Sequence, residues 1–559
     1  MISRERALSQ LESNRFDIVV IGGGITGAGV ALDAATRGYS VAIVEGRDWS
    51  AGTSSRSSKM IHGGLRYLQN FDVGLVREAL IERQLMVRLA PHLVKPLPFL
   101  VPWFEGGRRD RLIGVALNMY DVMARGNRRA RRRAEREAED EGSEYWSPDR
   151  HRTVPGEEAA EMIPALAPRN PSSAYLFYDC QTDDSRLVLT ILGEAERFGA
   201  VAVNGARVVE LIEENGMAAG VVCQEGESGE RFAVAADDVV NATGVWADRI
   251  RPEELHTEED VPSIRPSRGT HILIDRDRMP MNAAAVVPAG EGRSIFALPW
   301  LGQTLVGTTD NDYEGSLGHP RVGEEDVVYL LDAVNTFFET EIRPDELAGA
   351  YAGVRPLIST GDPKKSVDIS RKAELYETSS GMITITGGKL TTWRRMAKMT
   401  VDRITERDYR NAPCVTHEIQ LGHPVDPDQL GTVAGLSEES RAHLATRYGL
   451  FAEQIVKLCG ERPELARPIV DGLPDVLAEA SVAARFEQAR SVSDVLLRRT
   501  RLGLLAGRRL VEDPARVRAV AETMGSELGW DDARVTAAVG GWLATVEEEG
   551  LVTGAAAVR

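Results

Sequence analysis

The stretch that decides the fold is Phe16-Asp-Ile-Val-Val-Ile21, then Gly22-Gly-Gly24-Ile-Thr-Gly27-Ala-Gly29, then Ser40-Val-Ala-Ile-Val-Glu45. The first run is short and β-branched, the form of a buried parallel strand. It enters the glycines directly, and a helix is predicted from about Ile25 to Arg37, stopped by Gly38 as a C-cap. Gly22 makes the turn, Gly24 lets the backbone approach a pyrophosphate, and Gly27 permits tight helix–strand packing. The helix N-terminus offers free N–H groups to phosphates. Glu45 closes the second strand about 20 residues on, where an acid accepts from ribose hydroxyls. These features are in register and predict a Rossmann-like dinucleotide site.

Outward from this unit, Thr53 to Tyr67 packs five Ser or Thr, two Arg, Lys59, His62 and Gly63-Gly64 into fifteen residues. A solvated loop is one reading; the other is many hydrogen bonds to a large polar ligand, with glycines where backbone meets a ring. Asp238 to Gly244 reads as a strand ending on a small residue and Gly, and Met382 to Lys389 repeats that form before a helix from about Leu390. Three returns to one sheet, at 16, 238 and 382, make the cofactor domain discontinuous. The chain between them then forms a second domain that covers the cofactor.

Composition narrows the function classes. The 559 residues carry 66 Lys+Arg against 84 Asp+Glu, a formal net charge of −18, which argues against nucleic acid as the main partner. Hydrophobic residues at 43% and charged residues at 27% are ordinary globular usage. Cys180, Cys223, Cys414 and Cys459 are widely spaced, which excludes a Cys-rich zinc or iron–sulfur centre; no metal is expected. No signal peptide and no apolar run of about 18 residues is visible, so the expectation is a cytoplasmic protein that at most lies against a membrane.

At SSKMIHGGLRYL (57–68) the sequence resembles the FAD-dependent, quinone-linked glycerol-3-phosphate dehydrogenases. Further matches follow in that family's order: DDSRLVLT at 183–190, NATGVWAD at 241–248, GTHILI at 269–274, LVGTTDNDY at 305–313, GVRPL at 353–357 and TGGKLTTWR at 386–394. The resemblance implies an α/β fold: a discontinuous FAD-binding Rossmann-like domain (1–75, 180–255 and 350–412), an α+β substrate or cap domain (76–179 and 256–349) and an all-α C-terminal domain (413–559). It implies non-covalent FAD contacted by Gly22, Gly24, Gly27, Glu45, Thr53, Ser54, Ser57, Ser58, Lys59, His62, Gly63, Gly64, Gly244, Gly387, Gly388, Leu390 and Thr391.

The resemblance also implies oxidation of sn-glycerol 3-phosphate to dihydroxyacetone phosphate by hydride transfer to the flavin. Arg66, Arg355, Arg371 and Lys389 would cradle the dianion, with Tyr67 and Thr308 as hydroxyl donors; Arg presents a planar fork suited to phosphate oxygens. The proton acceptor is His271, by its natural pKa, or a desolvated Lys389, with Arg355 orienting the hydroxyl. From sequence alone His271 reads equally as a satisfied core histidine.

Nine arginines fall between Arg108 and Arg133, with an acidic run from Glu135 to Glu141. Between the basic groups, Arg111 to Arg125 reads as a helix with one narrow polar stripe (111, 114, 118, 121, 125). It is either a mostly buried helix followed by a charged loop, or an interfacial helix facing anionic lipid; the resemblance favours the second. Partners are then glycerol 3-phosphate, a membrane quinone and an anionic membrane surface met through 108–133, with a homodimer left open and no nucleic acid. Rivals are a glycerol-phosphate oxidase using oxygen, an amino-acid or amine oxidase on the same architecture, and a flavin-bound scaffold without chemistry. After about 413 helical periods take over, with Asp531 as an N-cap and no catalytic cluster.

Overall fold

The computed structural model describes residues 3–65, 72–106, 111–124, 150–250, 263–290, 292–359 and 373–554. Strand Arg15–Ile21 lies between Val41–Val44 and Arg231–Asn241, parallel to both, and Ile383–Gly387 runs parallel beyond Arg231–Asn241. The returns expected at 16, 238 and 382 are therefore neighbours in one eight-stranded sheet. Both faces are covered. Ile18 and Val20 pack with helices Ile25–Thr36, Asp184–Arg197 and Trp393–Arg407. Val19 and Ile21 pack on the opposite side with Ala7 and Leu11 of helix Arg4–Ser13. Alternate side chains point to opposite faces, so a strand covered twice has no polar face, and each buried Ile or Val stabilises by about 1.5–3 kcal/mol.

The second sheet has ten strands, mostly antiparallel. Its long pair, Ser263–Asp275 with Leu347–Ser359, sets His271 opposite Tyr351, Gly269 opposite Gly353 and Ser267 opposite Arg355. Ile272 and Ile274 face a core with helix Glu324–Phe338. The period of two turns Gly269 and His271 to the other face, where a cavity lies. Leu347–Ser359, which the expected domain limits divided at 350, pairs along its length with the second sheet, and among the described residues the next strand of the first sheet is Ala373–Glu377. The two-residue strand Met60–Ile61 also joins the second sheet, opposite Gln181 and Cys180. The polar loop after Glu45 therefore bridges the two sheets.

The C-terminal part is helical, including Glu438–Tyr448, Leu477–Phe486, Pro514–Leu528 and Asp532–Glu549. Asp531 caps the last of these by accepting from the Arg534 N–H at 2.7 Å. Its core continues into that of the second sheet through Trp300, Leu305 and Tyr351. No described helix is long and apolar enough to cross a membrane.

Candidate functional site

A cavity of about 2450 Å³ runs between the two sheets and collects most of the sequence-predicted residues. At one end lie Gly22, Gly24 and Glu45. Gly22 has φ +111°, and a Cβ there would sit 2.7 Å from the Ala242 carbonyl oxygen. Gly27 does not line the cavity; a Cβ on it would stand 1.9 Å from the Gly22 carbonyl oxygen, so its bareness brings helix and turn together. Gly24 precedes helix Ile25–Thr36 with no capping side chain of its own; Ser54 Oγ reaches over to accept from the Ile25 N–H at 2.9 Å. Glu45 accepts from the N–H groups of Gly23 and Arg47 at 2.7 and 2.8 Å, which fixes its carboxylate at the strand end. A cradle of bare backbone at a helix N-terminus beside a held carboxylate fits a dinucleotide.

Further along, the cavity is lined by Thr53, Ser54, Ser57, Ser58, His62 and Gly64 from the bridging loop, by Gly244, and by Gly387, Gly388, Lys389, Leu390 and Thr391 from the third return. Thr391 Oγ1 accepts from the His62 N–H at 3.1 Å and ties the two walls together. Gly63 and Lys59 are placed differently from the expectation that they face the cofactor. The Gly63 N–H donates to Tyr120 Oη at 2.9 Å and Asp179 Oδ1 at 3.3 Å beneath the loop. Lys59 is fully buried, and its Nζ donates to both oxygens of Asp184 and to the Ser55 carbonyl. A buried carboxylate draws the ammonium inward more strongly than the cavity does. Burial and the neighbouring Arg501 lower the Lys59 pKa to about 7 against the pull of Asp184.

The second-sheet wall carries the reactive groups. Arg355 donates through Nη2 to Thr308 Oγ1 at 2.9 Å and the Thr309 carbonyl at 3.1 Å, and through Nη1 to Asp310 at 3.2 Å. Gly269 makes this possible: a Cβ there would lie 2.4 Å from Arg355 Nη2 and 2.5 Å from Thr308 Oγ1. His271 stacks on Tyr351 with centroids 4.7 Å apart, as their pairing across the strands dictates, and its Nε2 shares a 2.8 Å hydrogen bond with Ser58 Oγ. Burial, then the charges of Lys59 and Arg355, hold the imidazole pKa well below its ordinary value, so the ring is neutral at physiological pH. His271, Thr308, Arg355 and Lys389 thus share one cavity, whereas Arg66, Tyr67 and Arg371 lie outside the described residues. Asp310 was visible inside TTDNDY as an acid near two hydroxyls. Tyr351 had no sequence signal.

A third arm of the cavity is apolar, with Leu65, Leu75, Phe99, Val101 and Phe177 meeting Leu112, Val115 and Met119 of helix Arg111–Ala124. Leu117, Tyr120 and Ala124 turn that helix into the protein. Leu112, Val115, Met119 and Val122 are 40% to 79% exposed. The basic groups from Arg125 to Arg133 lie outside the described residues.

The model of the family described as FAD dependent oxidoreductase matches residues 17–403, and that described as C-terminal domain of alpha-glycerophosphate oxidase matches 383–535. The chain is 36% identical over 555 residues to Glycerol-3-phosphate dehydrogenase 2 of Mycobacterium tuberculosis (strain ATCC 25618 / H37Rv), covering 98% of this chain and 90% of that one. It is 34% identical over 519 residues to the aerobic glycerol-3-phosphate dehydrogenase of Bacillus subtilis (strain 168), covering 89% of each. The crystal structure of a glycerol-3-phosphate dehydrogenase from Bacillus halodurans complexed with FAD is similar over the whole of both chains, at 29% identity and a TM-score of 0.76.

Proposed function

Since the chain belongs to the FAD-dependent oxidoreductases and takes FAD as its cofactor, we propose that it oxidises sn-glycerol 3-phosphate to dihydroxyacetone phosphate and passes the electrons to a membrane quinone. The observation that carries the substrate reading is the meeting of Arg355, Thr308, His271 and Lys389 in one cavity beside the Gly387-Gly388 turn. When bound, FAD supplies hydride acceptance; the chain's own residues bind, orient and take the proton. Arg355 is held by Asp310 and Thr308 before any substrate arrives, so little ordering remains to be done on binding. Arg355 and Lys389 contribute positive charge to the substrate anion, with Thr308 as a hydroxyl partner. His271 accepts the hydroxyl proton: burial keeps the ring neutral, and Ser58 and Tyr351 hold its plane.

The quinone reading is supported by the apolar arm that opens from the same cavity and by the exposed stripe on helix Arg111–Ala124. A lipophilic acceptor stays in the bilayer, and a chain that meets it without a spanning helix needs an interfacial contact. The protein then sits on the cytoplasmic face of the membrane, with its basic 108–133 stretch toward anionic headgroups.

Anaerobic mixing of the holoenzyme with glycerol 3-phosphate tests the reading: the flavin absorbance should bleach, and an unchanged spectrum overturns the substrate. Arg355→Ala should lower kcat/KM at least tenfold with flavin retained, because a charge-assisted bond to an anion is worth about 1.5–3 kcal/mol. Arg355→Lys should recover only part of this. Stoichiometric peroxide under air, with no turnover of a soluble quinone analogue, would replace the quinone by oxygen.

A further inference from the structure

The C-terminal helical domain has no residue in the predicted site, yet it reaches the flavin-side loop through Glu549, which accepts from Arg56 at 2.8 Å, and more deeply through Arg501. Arg501 is fully buried. Its Nη1 donates to the Leu497 carbonyl at 2.7 Å, within its own domain, while Nη2 donates to the Ser55 carbonyl at 2.8 Å and to Asp184 Oδ1 at 3.0 Å. Nε stands 3.7 Å from Asp183. Asp184 in turn accepts from the Ser57 N–H at 3.1 Å, from Ser57 Oγ at 2.7 Å and from Lys59 Nζ. The next side chain, Ser58, holds His271. Asp183 and Asp184 therefore meet Lys59 and Arg501, and the two carboxylates have basic partners within reach.

Two further observations mark the cluster as more than a domain clamp. Arg501 and Lys59 both adopt left-handed backbone, at φ +67° and +60°. Such conformations in residues with a Cβ cost free energy and persist where the surroundings enforce them. Tyr351, on which His271 stacks, donates to the Ser57 carbonyl at 2.7 Å, so the loop and the imidazole are fastened from two sides. Every polar group of Ser57 named here is held by Asp184 or Tyr351, and Ser57 and Ser58 both line the cavity.

We infer that Arg501 is a positioning residue: from the C-terminal domain it fixes the Ser55–Lys59 loop against Asp184, and through Ser58 it sets His271 relative to the flavin. The C-terminal domain thereby completes the redox site without touching it. The inference rests on the FAD site and, for its last step, on the role given to His271.

The test uses the full-length holoenzyme carrying Arg501→Ala, Arg501→Lys, Ser58→Ala and the Arg501→Lys/Ser58→Ala pair. Arg501→Ala should weaken FAD binding at least fivefold and change the visible spectrum of the bound flavin, and added guanidinium ion should restore both. Arg501→Lys keeps the charge but not the reach to both Ser55 and Asp184, so it should show a smaller change of the same kind and serves if Arg501→Ala does not fold. As a control, Gln488→Ala removes a different bond between the same regions, to the Ala202 carbonyl at 2.9 Å; it should lower the melting temperature and leave the flavin spectrum alone. In flavin reduction, Arg501→Lys and Ser58→Ala should not multiply, because both act on one contact. FAD affinity and spectrum within twofold of the parent in the Arg501 variants, or multiplicative losses in the pair, overturn the inference. The flavin readouts need no substrate, so they stand even if glycerol 3-phosphate fails to bleach the flavin.

Discussion

Two regions of this molecule reverse the usual distribution of residues, in opposite directions. Around residues 48, 183–184 and 498–501, charges are inside: Asp48 receives Arg498 and Arg499, and Asp184 receives Lys59 and Arg501. On helix Arg111–Ala124, large apolar groups are exposed: Leu112, Val115, Met119 and Val122, the first three at the mouth of the cavity. The difference teaches what each surface is for. Buried charges are tolerable when they are paired, and here the partners come from distant segments of one chain, so the first region joins those segments. An exposed apolar stripe leaves much of its area uncovered by the described residues, and burying that area against another surface is favourable.

The comparison breaks most visibly at Asp48. Burial alone would raise its carboxyl pKa, but Arg499 and Arg498 bring it below the ordinary range. Asp48→Ala leaves two guanidinium groups buried without it and should cost about 3–5 kcal/mol in denaturant unfolding. A loss below about 1 kcal/mol would mean that water reaches the cluster. A smaller effect should appear on acidification at Glu549, at the end of the last helix. Burial opposes its ionisation, yet Arg56 and His319 hold its pKa at about 2, below the ordinary 4.5. A depressed carboxylate stabilises fully above its unfolded pKa, so its contribution is present above pH 4.5 and lost as the pH falls toward 2. Glu549→Gln should be less stable at neutral pH and should lose less than the parent across that window; parallel curves would sever the link. The smallest effect on stability belongs to the apolar stripe. Val122→Ser should change unfolding by no more than about 0.5 kcal/mol, since nothing packs on an exposed side chain. It should nonetheless reduce sedimentation with anionic vesicles at low salt, with dye-linked turnover intact. A large stability loss with unchanged vesicle binding would make the stripe part of the core.

Where a function depends on local order, the residues announced it. Gly22, Gly24 and Gly27 with Glu45 specify strand, turn, helix and acid within thirty residues, and the structure assembles those elements in that order. Asp531 shows the same at a helix start. His271 remained ambiguous because core histidine and site histidine share one pattern. Only the register against Gly307 and Tyr351 turned it toward the cavity. Lys59, a cofactor contact by the resemblance, has its ammonium on Asp184, a partner 125 positions away that no local pattern announces.

What the sequence determined alone is the set of local instructions: β-branched runs that must be covered on both faces, glycines where no Cβ fits, and polar loops rich in donors. These act over a few residues, because backbone sterics and side-chain periodicity are short-range. Only the tertiary structure decided that Leu347–Ser359 joins the second sheet, that Arg355 is held by Asp310 and Thr308, and that Arg501 meets Asp184 across 317 positions. Such pairings leave no periodic trace, since a buried charge needs a partner of opposite sign at about 3 Å and is indifferent to how far along the chain that partner lies.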